Sequence, residues 1–447
     1  MAIVRERQVL PPHDAAQEIH AMPHLLTVFA TLSRSLRRVK PVALAAGVLA
    51  PALLLPMGCS VAASGGVSSA AQKAQAGSST GVIPSSFFGM VVKAPAAQPG
   101  VATGARRLWD SGVTWAALEP ARGSFAWATL DAEVAAAQQA GAEITLCLGM
   151  TPQWASSRPV MPSAYGVGAT AMPASLADWD TYVGAVATRY SGRIRAYEVW
   201  NAPETPAYWS GAPAQMGENM SVLAAHAAAA VHSADSAALV VSPALSPTGL
   251  AAFLMAGGGT SVDVVGSTLA STSGSGPEDA AATIQALRSV MAGTSVDGSP
   301  LWNDQGAWVL PQGGLSSQVQ AAYVARALIL NAAYGVQRMH WYAWDDSNAG
   351  DLALTGASHQ PTESAAAFAS AESWLVGAQM NGCAATASGV WTCQLVRAGR
   401  TEWVLWSVNG SVASSSLGAS TSTDLEGNIT NIAGGNVTVE ASPMLLQ

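Results

Sequence analysis

Charge is scarce in this chain. Only 11% of its 447 residues are charged, and 20 Lys and Arg against 28 Asp and Glu leave a net charge of −8. Gripping nucleic acid phosphates needs clustered basic residues. The one basic cluster, Arg34, Arg37, Arg38 and Lys40, stands instead beside an apolar run near the N-terminus. Nucleic acid is therefore not an expected partner. Cysteine is scarce too, with four in all, and neither CxxC nor HExxH occurs. Three of the seven His lie before residue 25, so metal-ligand spacing is missing and neither a metal nor a cofactor is expected. No Gly-rich phosphate loop follows the first strand candidate, which disfavours a dinucleotide-binding open sheet. Phe and Tyr number only 6 and 8, but Trp reaches 15, all between Trp109 and Trp406. Such an excess means either a large core or a cleft that stacks flat sugar faces. Half the residues are hydrophobic, which rules out a disordered polymer. The length suits one barrel of roughly 250 residues with a smaller partner domain.

The N-terminal region predicts export. After the basic cluster an uncharged apolar run extends from Pro41 to Gly58, interrupted by Pro51 and Pro56 and followed by Cys59 and small residues. It reads as a signal-peptide core rather than a permanent span. The stretch before it is long for such a signal, and a start at Met22 leaves an ordinary one. Leu55-Pro56-Met57-Gly58-Cys59 resembles a bacterial lipoprotein cleavage box, in which Cys59 is lipidated and anchors the protein to a membrane. Pro56 and Met57 depart from that pattern; the alternative is a plain secretory signal cut near Ala62-Ala63. The expectation is a cell-envelope lipoprotein, otherwise a secreted protein. Cys147 sits in an apolar strand-like run and reads as a buried free thiol. Cys383 and Cys393 flank a turn-rich and a β-rich segment, a natural disulfide in an oxidising compartment.

Four regions follow: 1–58 a signal peptide, 59–86 a Ser/Ala/Gly tether, 87–372 a barrel, and 373–447 a β-sandwich-like domain. The tether contains Gly77-Ser78-Ser79-Thr80-Gly81, formally a nucleophile elbow, but no strand precedes it and no helix follows. Strand candidates are Phe88–Val92, Val113–Leu118, Ile144–Leu148, Arg195–Trp200, Leu239–Ser242, Val262–Ser267, Leu301–Asp304 and Arg338–Ala343. Helical stretches such as Leu130–Ala140, Trp179–Tyr190, Ser221–Ala230, Asp279–Met291 and Gln318–Tyr334 lie between them. This alternation predicts parallel βα units closing as a (β/α)8 TIM barrel, followed by a small all-β domain with a hairpin around Ala398-Gly399-Arg400.

In such a barrel chemistry belongs at the C-terminal strand ends. Here these read Tyr197-Glu198-Val199-Trp200-Asn201-Ala202-Pro203-Glu204, Leu301-Trp302-Asn303-Asp304-Gln305-Gly306 and His340-Trp341-Tyr342-Ala343-Trp344-Asp345. Together with Arg107-Leu108-Trp109-Asp110-Ser111-Gly112-Val113, Trp115 on strand two and Thr151-Pro152-Gln153-Trp154-Ala155, they resemble retaining glycoside hydrolases of the clan A barrels. Family 39 and the exopolysaccharide hydrolases are the nearest likeness, over about Phe87 to Asn409. The Cys383–Cys393 hairpin fits it as well.

Retaining hydrolysis needs two carboxyl groups roughly 5–5.5 Å apart, one acid/base and one nucleophile. The resemblance places the acid/base at Ala202 and the nucleophile at Gln305, so both carboxylates are replaced. Glu204 and Asp304 are the displaced candidates. By strand alternation Asp304 is expected to face away from the barrel axis. The resemblance further implies a sugar cleft formed by Arg107, Trp115, Trp154, Asn201, Trp302, Tyr342 and Trp344, with Asn201 on a sugar hydroxyl; for each Trp, core packing is the alternative. His340 reads as a core histidine. Three functions remain open: a catalytically impaired protein that binds a polysaccharide or oligosaccharide, an active hydrolase using Glu204 or Asp304, and a protein-binding envelope scaffold.

Overall fold

The computed structural model describes residues 81–94, 96–269, 276–307, 314–345, 353–356 and 360–447. The predicted signal peptide, Cys59 and most of the predicted tether lie outside these residues. Eight short strands alternate with helices from Phe88 onward. They are β1 (Phe88–Val91), β2 (Ala105–Leu108), β3 (Glu143–Leu148), β4 (Ala196–Val199), β5 (Leu239–Val241), β6 (Val265–Ser267), β7 (Leu301–Gly306) and β8 (Arg338–Trp341). All pair in parallel in the order β5-β4-β3-β2-β1-β8-β7-β6. A parallel bridge between Val241 and Val264, reinforced by Ser242 N donating to Val264 O at 2.9 Å, joins the two end strands. The result is a (β/α)8 barrel.

The helices are α1 (Trp115–Leu118), α2 (Ala128–Gln139), α3 (Leu176–Arg189), α4 (Met216–Ala234), α5 (Pro247–Met255), α6 (Ala280–Met291), α7 (Ser317–Ala333) and α8 (Glu363–Leu375). Outward strand residues such as Leu146, Tyr197, Val240 and Leu301 are fully buried and belong to one continuous core. Two helix starts carry ordinary sequence signals. Ser246 precedes Pro247 and accepts from Gly249 N, and Ser316 accepts from Val319 N.

The predicted second strand is a correction. Val113–Leu118 is no strand; Trp115–Leu118 forms one helical turn, docked by Trp115 N on Gly149 O and Ala116 N on Met150 O, both at 2.9 Å. A short apolar run satisfies either structure, so periodicity cannot decide it. The true β2, Ala105-Arg106-Arg107-Leu108, was hidden because two of its four buried residues are arginines.

Eight more strands follow: β9 (Gln379–Ala385), β10 (Val390–Arg397), β11 (Arg400–Ser407), β12 (Val412–Ser415), β13 (Thr421–Thr423), β14 (Ile429–Asn431), β15 (Asn436–Val439) and β16 (Met444–Leu446). Six form an antiparallel sheet, β14-β13-β16-β11-β10-β9, while β12 and β15 make a separate ribbon. Ala398 and Gly399 both take positive φ, +49° and +79°, as a tight hairpin turn between twisted strands requires. Cys383 and Cys393 are directly opposite on β9 and β10 and form the disulfide. This domain braces the barrel. Arg397 donates to Val376 O and Trp374 O at the end of α8, and Trp406 Nε1 donates to Glu278 Oε1 at 2.8 Å. Glu278 in turn holds Arg326 of α7 at 2.6 Å. Ile83, placed in the tether by sequence, is 5% exposed and pairs with Val376 and Ala378, so the fold begins before Phe87.

Candidate functional site at the barrel mouth

The barrel interior is built of charge. Arg107 on β2 donates to both oxygens of Glu198 on β4, at 2.6 and 2.8 Å, and to Asn201 Oδ1 at 2.7 Å. All three are fully buried. Burial works against the Arg107 cation, but the Glu198 carboxylate outweighs it and the guanidinium is held above its ordinary range. On the far side of the axis Arg338 packs over the Trp302 ring at 4.1 Å and pairs with Glu143.

Asp304 joins this interior, contrary to expectation, because it stands two residues after the inward Trp302 and alternation from there points it to the axis. Residues Asn303 and Gly306 pair with Met339 and Trp341, so β7 carries one extra residue and Asp304 and Gln305 together oppose His340. Asp304 is fully buried, Oδ1 lies 3.6 Å from His340 Nδ1, and a Cβ on Gly266 of β6 would collide with Oδ2. Gly89 of β1 makes the corresponding room for His340. Neither carboxyl oxygen of Asp304 and neither nitrogen of His340 has a hydrogen-bond partner. Burial, reinforced by the Glu198 charge, holds the Asp304 carboxyl well above its usual range, although Arg107 and Arg338 oppose this. Burial, then Arg338 and Arg107, hold His340 well below its usual range. Both shifts favour the neutral form of the group.

This pair predicts a definite pH profile. In the unfolded chain Asp titrates near about 3.9 and His near about 6.5. Between these values the native state keeps a proton on Asp304 that the unfolded chain has lost, and the unfolded chain holds one on His340 that the native state lacks. The two slopes cancel. Above about pH 6.5 only the Asp304 difference remains, and stability should fall by roughly 1.4 kcal/mol per pH unit until the raised native pKa is reached. Asp304→Asn should flatten that decline in denaturant melts between pH 6.5 and 9. An unchanged slope would show that Asp304 is already ionised.

Above this layer lies the mouth. Strand β4 ends in a strained turn, with Trp200 and Ala202 at φ of +67° and +38°. Ala202 and Gln305, at the ends of β4 and β7, are half-buried. Glu204 is committed elsewhere: Oε2 accepts from Ser246 N at 2.6 Å and Oε1 from Ser246 Oγ at 2.7 Å, at the start of α5. That engagement corrects its reading as a substitute acid. Trp115 is fully buried, stacked on Tyr182 at 4.8 Å, with its Nε1 on Glu119. Trp302 lies deep in the barrel against Arg338. Both are corrected from sugar contacts to packing. Trp154 is held by Glu119 O through its Nε1 and covered by Arg122 at 4.6 Å. Trp344 is 6% exposed beside Gly100.

Sequence reasoning missed two groups at the mouth. Trp109, Tyr165 and Tyr208 form an aromatic cluster with centroids 5.6–6.2 Å apart. Burial, then Tyr208 and Asp110, raise the Tyr165 phenol. Asp110 itself accepts the Tyr342 hydroxyl at 2.7 Å. Trp109 was legible by alternation from Arg107, but Tyr165 and Tyr208 come from long loops with no periodic signal. Among the described residues no group of three or more His, Cys, Asp or Glu is placed to hold a metal ion.

This arrangement matches solved enzymes. A family 39 glycoside hydrolase from Bacteroides cellulosilyticus WH2 superposes with a TM-score of 0.65, at 16% identity, over 81% of each chain. The chain shares the fold of that enzyme. A glucosidase from Croceicoccus marinus gives 0.60 at 14% identity, over 82% of this chain and 96% of that one. A GH39 β-xylosidase from Caulobacter crescentus gives 0.57 at 16% identity, over 82% and 97%. No protein-family profile and no curated protein sequence matches the chain. At these identities the likeness concerns the fold.

Proposed function

We propose that the protein binds a polysaccharide or oligosaccharide at the barrel mouth without hydrolysing it, and does so as an exported protein anchored through Cys59. The observation that carries this reading is that, among the described residues, no free carboxyl pair stands at the ends of β4 and β7. The positions at the ends of β4 and β7 are Ala202 and Gln305. Glu198 is committed to Arg107, Glu204 to Ser246, and Asp304 is sealed in the barrel, where burial favours its neutral form. An alanine has no proton for a leaving oxygen, and a neutral glutamine amide neither attacks well nor balances oxocarbenium charge. What remains suits recognition: Asn201 Nδ2 and Arg107 Nη1 are unpartnered donors beside the Trp109, Tyr165 and Tyr208 cluster.

The test pairs calorimetric binding with a reducing-end assay on the same panel of oligosaccharides. The natural chain should bind at least one of them and release no reducing ends from any. Turnover by the natural chain, or no binding across the panel, overturns the reading.

A further inference from the structure

The connection from β3 to α3, residues 149–175, carries a single charged residue, Arg158, and the connection from β4 to α4, residues 200–215, carries only Glu204. Both connections leave C-terminal strand ends and so form one side of the mouth. The loop that bears Arg158 is fixed by its own bonds. Ser156 Oγ accepts from Arg158 N at 3.1 Å and donates to Gly168 O at 2.7 Å, while Gly168 N donates to Met161 O at 2.6 Å. Gly168 takes a φ of +81°, and a Cβ there would meet the Ser156 side chain at 2.8 Å. The exposed guanidinium then crosses to the neighbouring loop, where Nη1 donates to Ser210 O at 2.6 Å, two residues beyond Tyr208. Its Nε and Nη2 make no hydrogen bond among the described residues. These two nitrogens share one edge, the fork with which an arginine meets a carboxylate or sulfate through two parallel hydrogen bonds.

We propose that Arg158 receives the anionic substituent of an acidic glycan, a uronate carboxylate or a sulfate ester, at the β3–β4 side of the mouth; this rests on the glycan-binding reading above. No carboxylate of the described residues competes for it. Arg158 enters no ion pair, and the acidic groups at the neighbouring strand ends are engaged: Glu204 by Ser246, Glu198 by Arg107, and Asp110 by Tyr342 with Lys93 Nζ at 3.9 Å. The half-buried Tyr165 and Tyr208 rings stand on the two loops that Arg158 joins, with centroids 5.6 Å apart. They offer apolar surface to a sugar ring while the guanidinium takes its acidic group. Ser210 already holds the side chain, so less freedom is lost when the anion docks.

The experiment is calorimetric titration of the whole chain with two matched pairs: tetragalacturonate against its methyl ester, and sulfated against plain cellotetraose. In at least one pair the acidic member should bind about ten-fold tighter than its neutral counterpart, and added salt should narrow that gap. The pair that responds distinguishes a carboxylate from a sulfate. Arg158→Ala and Arg158→Gln should both abolish the preference. Glutamine keeps an amide donor for Ser210 O, so it separates the charge from the anchoring of the loop, and it decides alone should the alanine variant fail to fold. Equal binding within both pairs, or a preference unchanged in Arg158→Gln, overturns the proposal while leaving glycan binding intact. Binding of none of the four sinks both.

Discussion

A chain carrying Ala202→Glu together with Gln305→Glu is expected to release reducing ends from oligosaccharides that, on the proposed reading, the natural chain binds without cleaving. General acid catalysis contributes about 10²–10⁴-fold, and a carboxylate nucleophile opens a covalent route that an amide does not. The two groups act as a unit, so each single replacement should stay near the natural chain and only the pair should produce turnover. The geometry favours the pair in one respect. The extra residue in β7 sets Gln305 beside the inward Asp304, opposite His340, at the end of the strand that opens toward the mouth. A single replacement that alone restores full turnover would mean that a native carboxyl already does half the work. A folded double variant that binds but stays inert would show that loss of the two carboxyls is not what separates this protein from a hydrolase.

Replacing Arg107 by alanine is expected to destabilise the fold by about 3–5 kcal/mol, the usual cost of stranding one partner of a buried ion pair. Arg107 meets Glu198 through two hydrogen bonds of 2.6 and 2.8 Å, and neither side chain is exposed. Its removal leaves Glu198 in a low-dielectric interior already holding Asp304, and it frees Asn201 Oδ1 as well. Arg107→Met combined with Glu198→Leu should recover most of the loss, because that change removes both charges and keeps volume. Denaturant midpoints of the three variants separate the cases. If Arg107→Ala costs under about 1 kcal/mol, on the scale of an exposed pair, the interior is wetter than its burial implies.

Much of the fold was legible because it depends on short-range pattern. Apolar runs between Ala-rich helical stretches located seven of the eight barrel strands, and Ala398-Gly399 announced the β10–β11 hairpin. Helix α5 escaped notice although Ser246-Pro247 is a sound start signal, since nine residues with Thr248 as their single polar side chain carry little periodicity. The strand-end reading gathered residues that the fold also brings together: Arg107, Asn201, Ala202, Gln305 and Tyr342 all stand at or near the ends of β2, β4, β7 and β8.

What the chain's order of residues determined by itself was the alternation that closes a barrel, the cystine, and which residue types occupy the ends of β4 and β7. Only the tertiary structure decided where each polar side chain points. Alternation had to be counted from the right residue: from the inward Trp302 it turns Asp304 inward, and the extra residue of β7 then sets Gln305 beside it against His340. Partners distant in sequence decided the rest: Ser246 holds Glu204, Tyr182 covers Trp115, and Tyr342 leaves Asp110 one free oxygen. Such contacts join strand ends and loops many residues apart, and no local pattern encodes a hydrogen bond across a barrel.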